Sequence, residues 1–170
     1  VNFPGSENVQ FHIQTEFKLM PEGNNSPILL LPPLDNGFVG FPFFHNPNAF
    51  DLEGDSIAYQ KIVPMEGLGS VVPNYQFPNN VPSGNSGAFE VFEDTGTMFW
   101  ENPAQVGAYV MAMLIEEYRN GEKISSMIRD MQVNIESFGL VIHPPQIEVP
   151  TEEIVVEAGE TVSFDVTFED

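Results

Sequence analysis

Short apolar runs of period two, each cut off by proline or glycine, constrain this chain more than any other feature. Residues 9–19 read Val-Gln-Phe-His-Ile-Gln-Thr-Glu-Phe-Lys-Leu. Val9, Phe11, Ile13, Phe17 and Leu19 fall on one parity, the pattern of a half-buried strand. A turn rich in Pro, Gly and Asn follows at 21–27. Residues 28–31 then form an apolar strand that Pro32-Pro33 stops. Residues 38–44 read as one more short strand, which Pro42 confines to an edge or a bulge. Another strand runs from 56 to 63. Between 64 and 87 the composition shifts to Gly, Pro, Asn and Ser, so this segment reads as a long loop with at most one extended piece near 71–77.

Two hairpins come next. Residues 89–92 and 98–100 flank a turn in which Gly96 can take the left-handed conformation. Residues 107–118 and 123–136 flank Asn120-Gly121, the dipeptide that most favours a tight two-residue hairpin turn. In the first arm Tyr109, Met111, Met113 and Ile115 alternate with Val110, Ala112 and Leu114, so both faces are apolar and the strand belongs in mid-sheet. No capped helical pattern competes. His143-Pro144-Pro145 breaks the series, and short strands near 146–149, 154–156 and 161–168 open a second domain. The sequence therefore predicts an all-β fold: an antiparallel β-sandwich over residues 1–140, followed from 141 to 170 by a linker and the first strands of a similar domain.

Charge narrows the function classes. Acidic residues number 25 against 5 basic ones, a net charge of −20, which opposes binding to nucleic acid or to an anionic membrane surface. The chain has no cysteine, which excludes disulfides and thiolate metal sites. No apolar run approaches the roughly 20 residues that span a bilayer, and no signal sequence opens the chain. Val1 is not an initiator methionine, and the expectation is a processed form or an excised fragment.

The chemistry that remains is that of carboxylates. In Asp51-Leu52-Glu53-Gly54-Asp55, three acidic residues at i, i+2 and i+4 surround a glycine that permits a tight, oxygen-lined turn. Hard cations take such loops, calcium collecting six to eight oxygens from a short acidic segment and from carboxylates donated elsewhere. The segment lacks the twelfth-position Glu of an EF-hand loop. An exposed acidic turn without an ion is the competing reading. Glu116 and Glu117 face opposite ways in a strand, so at most one joins a given site. Glu116 or Asp130, both on the long hairpin, are the expected completing ligands. Catalysis has little support: His12, His45 and His143 are scattered, and no serine sits in a Gly-x-Ser-x-Gly elbow. Tyr75 and Phe77 are candidates for a glycan-binding surface, whereas Trp100, inside a hairpin, is expected to be buried.

These segments together carry a resemblance. The run from His45 to Ser56, Asp94-Thr95-Gly96-Thr97-Met98-Phe99-Trp100, Gly107-Ala108-Tyr109, Glu116-Glu117-Tyr118-Arg119-Asn120-Gly121 and Arg129-Asp130-Met131-Gln132-Val133 occur in an order that resembles the repeated, cadherin-like and immunoglobulin-like ectodomain modules of large secreted Bacteroidetes proteins of the gliding-motility-associated, type IX-secreted kind. The chain departs from the cadherin-like Asp-x-Asp-Gly-Asp in having Glu53 at the middle position. What the resemblance implies is a secreted or cell-surface, non-enzymatic module that works in adhesion, spacing or matrix assembly. Calcium would be its stiffening ion, on Asp51, Glu53, Asp55 and Glu116 or Asp130. Its partners would be neighbouring domains of the same chain and a cell-surface protein or glycan. The alternative is a glycan-binding accessory module of a secreted polysaccharide-degrading enzyme.

Overall fold

The computed structural model describes residues 2–81, 87–137, 146–148 and 167–169. Two compact units divide the chain, Val1–Ser137 and Phe138–Asp170. The first is all-β, with a 3-10 turn at Ser6–Asn8 and another at Pro78–Asn80 as its helical pieces among the described residues. Its strands are β1 (Thr15–Phe17), β2 (Ile28–Leu29), β3 (Leu34–Phe38), β4 (Phe43–His45), β5 (Ala49–Phe50), β6 (Ser56–Ile62), β7 (Met65–Gly67), β8 (Ser70–Val71), β9 (Phe89–Val91), β10 (Met98–Trp100), β11 (Gly107–Arg119) and β12 (Glu122–Glu136).

The long hairpin of β11 and β12 is the centre of the larger sheet. Asn120 and Gly121 both have positive φ, 54° and 79°, the twist-matched turn that an Asn-Gly pair adopts at low cost. From there the arms pair antiparallel along their whole length, with one slip near the turn: Ser125 faces Glu117 while Lys123 faces Tyr118. β6 adds to the free side of β11, and β1 to the free side of β12. β3 also joins β12, further along the same edge and in parallel orientation, Leu34 facing Gln132 and Phe38 facing Glu136. This is the one departure from antiparallel pairing among the described strands. The smaller sheet has the order β4-β10-β9.

The two sheets enclose one core. Tyr109, Met111, Met113 and Ile115 of β11, with Met131, Val133 and Ile135 of β12, meet Phe43, Phe89, Met98 and Trp100 of the smaller sheet. Trp100 lies edge-on to Tyr109 with ring centroids 4.8 Å apart, and it is buried as its place in the hairpin predicts. Gly96 has φ +71°, and a Cβ there would lie 2.5 Å from the Tyr59 ring. Only glycine meets both demands.

Three segments differ from the sequence expectation. Residues 9–19 supply only the three-residue β1, and no residue of β1 joins the core. Phe11, Ile13, Phe17 and Leu19 are exposed, and β1 is an edge strand paired only with β12. Residues 38–44 are two strands in different sheets, separated by a turn in which Gly40 has φ +85°. The proline-rich segment after 64 holds a small hairpin, β7 with β8, and its aromatic residues pack inward.

In the second unit β13 (Gln146–Glu148) and β14 (Thr167–Glu169) pair antiparallel. The strands expected near 154–156 and 161–166 and the boundary segment 138–145 lie outside the described residues.

Candidate functional site

The acidic turn leaves β5 and enters β6. Asp51 Oδ1 accepts hydrogen bonds from the N–H of Glu53 (2.8 Å) and of Asp55 (2.9 Å), and Gly54 takes φ +83° to close the loop. This Asx-type turn is what a short acidic side chain before glycine favours. It leaves Asp51 Oδ2 buried and without a hydrogen-bond partner.

Facing the turn is Glu117, fully buried on β11. It shares its parity with Tyr109, Met111, Met113 and Ile115, so the strand that points those side chains into the core points Glu117 the same way at the core's end. Its Oε2 accepts from Ser125 Oγ and from Asn24 Nδ2, the latter at 2.8 Å. Its Oε1 is buried and has no partner. Asp51, Asp55 and Glu117 each place a carboxylate oxygen within 4.8 Å of the other two.

Arg119, two residues on, is held by the same turn. Its Nε donates to Asp55 Oδ1 at 2.8 Å and its Nη2 to Asp55 Oδ2 at 2.5 Å. The guanidinium also donates to Asn24 Oδ1 at 2.7 Å and to the Gly23 carbonyl at 3.3 Å. Asn25 Nδ2 donates to Glu53. Three chain segments thus meet: the turn at 23–25, the acidic turn, and the closed end of the long hairpin.

The protonation preferences follow from these contacts. Burial raises the Glu117 carboxyl above its ordinary value; Ser125 and Asn24 offset part of this, and the facing Asp51 adds to the rise. Burial also works to raise Asp51, but the N–H groups of Asp55, Glu53 and Gly54 and the Glu117 carboxyl outweigh it, and Asp51 lies below its ordinary value. The two carboxyls are thus pushed apart, Glu117 being the more readily protonated and Asp51 the more readily ionised. With all three carboxylates ionised, the Arg119 guanidinium leaves the cluster two negative charges in excess. Two orphaned buried oxygens, an all-oxygen donor set and that excess fit a hard divalent cation.

The structure brings together Asp51 and Asp55 of the residues named from sequence, and adds Glu117, which sequence reasoning passed over in favour of its neighbour. Glu116 points to the opposite face, where it pairs with Lys123 at 2.9 Å and accepts from the Tyr118 hydroxyl at 3.1 Å. Glu53 turns outward, toward Asn25. Asp130 is buried on the other face of the hairpin, opposite Ala112. The signal for Glu117 was present in β11: the bulkier parity marks the core-facing side, and Glu117 continues it.

The remaining candidates resolve as follows. His45 is buried in β4 with Nδ1 2.8 Å from Asp35 Oδ2, joining two strands. The Tyr75 hydroxyl donates to the Val110 carbonyl at 2.9 Å, and Phe77 packs on Phe89 with centroids 6.1 Å apart, so neither offers a free face. An aromatic row lies instead on the outer face of the smaller sheet. Phe44 and Phe99 stand 5.0 Å apart as a cross-strand pair, and Phe92 stacks on Phe99 at 6.5 Å with an interplanar angle of 15°. Phe44 and Phe92 are exposed.

The molecule is thus an all-β protein with a sandwich unit whose acidic turn is tied to its central hairpin. No protein-family profile, curated protein or solved structure matches the chain. No helix among the described residues is long and apolar enough to cross a membrane.

Proposed function

We propose that the sandwich unit is a non-enzymatic structural or adhesion module of a secreted or cell-surface protein, stiffened by calcium bound to Asp51, Asp55 and Glu117. The single observation that carries the reading is the pair of buried, unpartnered oxygens, Asp51 Oδ2 and Glu117 Oε1, at a junction of three chain segments. A cation there would join the acidic turn to the hairpin and resist their separation, as an adhesive or spacing module requires. A strongly acidic surface is also best tolerated where divalent ions are abundant, which supports an extracellular setting, cadherin-like or immunoglobulin-like in its use. Its partners would be neighbouring domains of the same chain and a cell-surface protein or glycan.

Calcium that binds only the folded state stabilises it by mass action, by about 2.7 kcal/mol at a hundredfold excess over the dissociation constant. Melting the protein in calcium and in chelator tests this. A rise in Tm that Glu117→Gln abolishes supports the ion, and equal melting in both conditions removes it.

The aromatic row favours a second reading, the glycan-binding accessory module. Phe44, Phe92 and Phe99 form an apolar strip whose exposed rings could stack on sugars, with Phe44 tilted by 35° and Phe92 by 15° from Phe99. A glycan array tests it: binding lost in Phe44→Ala and in Phe99→Ala supports this reading, and a blank array rejects it.

A further inference from the structure

The outer face of the long hairpin holds a second site, unrelated to the acidic turn. The N-terminal segment and the chain after β6 cross this face. Asn2 is fixed there, its Oδ1 accepting from the Val110 N–H at 3.0 Å and its Nδ2 donating to the Val110 carbonyl at 2.8 Å. Between these covering segments and the sheet is a cavity of about 340 Å³, its apolar walls formed by Phe3, Val9, Phe11, Met65 and Val72 and its polar ones by Ser6, Gln10 and Gln132. Asp130 lies in its lining, 6% exposed, with Oδ1 buried and bonded to no donor.

An ionised carboxylate in apolar surroundings requires a counter-charge, and no lysine or arginine side chain supplies one. All five basic side chains are engaged elsewhere. Lys18 pairs with Glu122, Lys123 with Glu116 and Arg119 with Asp55. Lys61 donates to the Phe89 carbonyl, and Arg129, on the opposite face, to that of Leu31. The one other carboxylate lining the cavity, Glu7, adds negative potential. Asp130 is thus left without a lysine or arginine partner, open to a cation from another molecule.

We propose that this cavity binds a primary ammonium group carried on a short apolar stem, the ammonium donating to the Asp130 carboxylate and the stem lying against Phe3, Phe11 and Val72. The charge-assisted hydrogen bond fixes the headgroup, and the apolar walls select for the stem. Burial of the empty site also holds the Asp130 carboxyl far above its ordinary range, at about 7, so an incoming cation meets a group whose charge is otherwise uncompensated.

The test is titration with hexylamine, hexanol and methylamine, followed by calorimetry and by amide chemical shifts, at pH 8 and about 0.15 M salt, where exposed charges are screened beyond about 8 Å. Hexylamine should bind at one site and shift the amides of Phe11, Val72 and Val110, with hexanol and methylamine each weaker by about tenfold or more. Asp130→Asn, which keeps the side chain's shape, should weaken hexylamine about tenfold and leave hexanol unchanged. Val110→Trp should exclude both by filling the cavity. Shifts spread over the acidic surface, equal binding by Asp130→Asn, or no binding of hexylamine would each overturn the proposal.

Discussion

Two buried carboxyls on one hairpin, Glu117 and Asp130, occupy opposite faces and opposite situations. Glu117 sits where three segments converge and takes hydrogen bonds from Ser125 and Asn24, with Asp51 facing it and Arg119 close by on Asp55. Asp130 sits beside a cavity with one oxygen unpartnered, and its recorded hydrogen bond is from the Met131 N–H. Burial raises both groups. What differs is the supply of neighbours: one carboxyl belongs to a junction dense in polar partners, and the other to a cavity where no lysine or arginine answers it. On the proposed readings the first is a fastening point and the second a receptor.

The largest effect that can break this contrast is at Asp130. Its carboxyl moves from an ordinary 3.8 to about 7 on folding, so the folded protein holds that proton more tightly than the unfolded chain. Stability from this group is full below pH 4, falls as pH rises toward 7, and is lost above it. The loss is on the order of 4 kcal/mol at the limit. Asp130→Asn should remove this slope, leaving stability near pH 4 little changed and raising it at pH 8 by up to that amount. Denaturant melts at the two pH values check it.

At Glu117 the expectation is reversed. Glu117→Ala strands Ser125 and Asn24 and opens a void, a loss of about 3 kcal/mol. Glu117→Gln keeps an oxygen for those donors and relieves the facing Asp51, so without metal it should lie within about 1 kcal/mol of the parent. If the two variants melt alike, the junction is not the polar structure described here.

The length of the hairpin was legible in the sequence because Asn120-Gly121 fixes its turn, and the alternation on either side fixes its register. The burial of Trp100 followed from the same pattern. The placement of residues 9–19 was not legible: alternation reports that a strand has an apolar face but not whether a second sheet extends far enough to cover it. The split of 38–44 between two sheets was hidden for a related reason, since a crossing between layers leaves no periodic signal. In the site, Asp51 and Asp55 were readable from local turn chemistry. Glu117 and Glu116 were harder to separate because β11 is apolar on both faces, and only the size difference between Met111, Met113 and Ile115 on one side and Val110, Ala112 and Leu114 on the other marks the inner one. Asp130 lay in a segment that reads as ordinary strand, and its isolation arises from the covering chain segments, which sequence spacing does not place.

Smaller effects sharpen the comparison. Gly96→Ala should cost roughly 2–3 kcal/mol without altering either site, because it strains the turn and presses on Tyr59. It serves as a control for global destabilisation. Glu116→Gln, adjacent in sequence to Glu117 but paired with Lys123 on the surface, should change stability by less than about 1 kcal/mol and leave any cation response intact.

The most direct measurement is a calcium titration by calorimetry at pH 7.5 on the parent protein, Glu117→Gln and Glu116→Gln. The account predicts one calcium site per chain in the parent. The site should be lost in Glu117→Gln and unchanged in Glu116→Gln. No heat of binding in the parent, or equal binding in all three proteins, would contradict it.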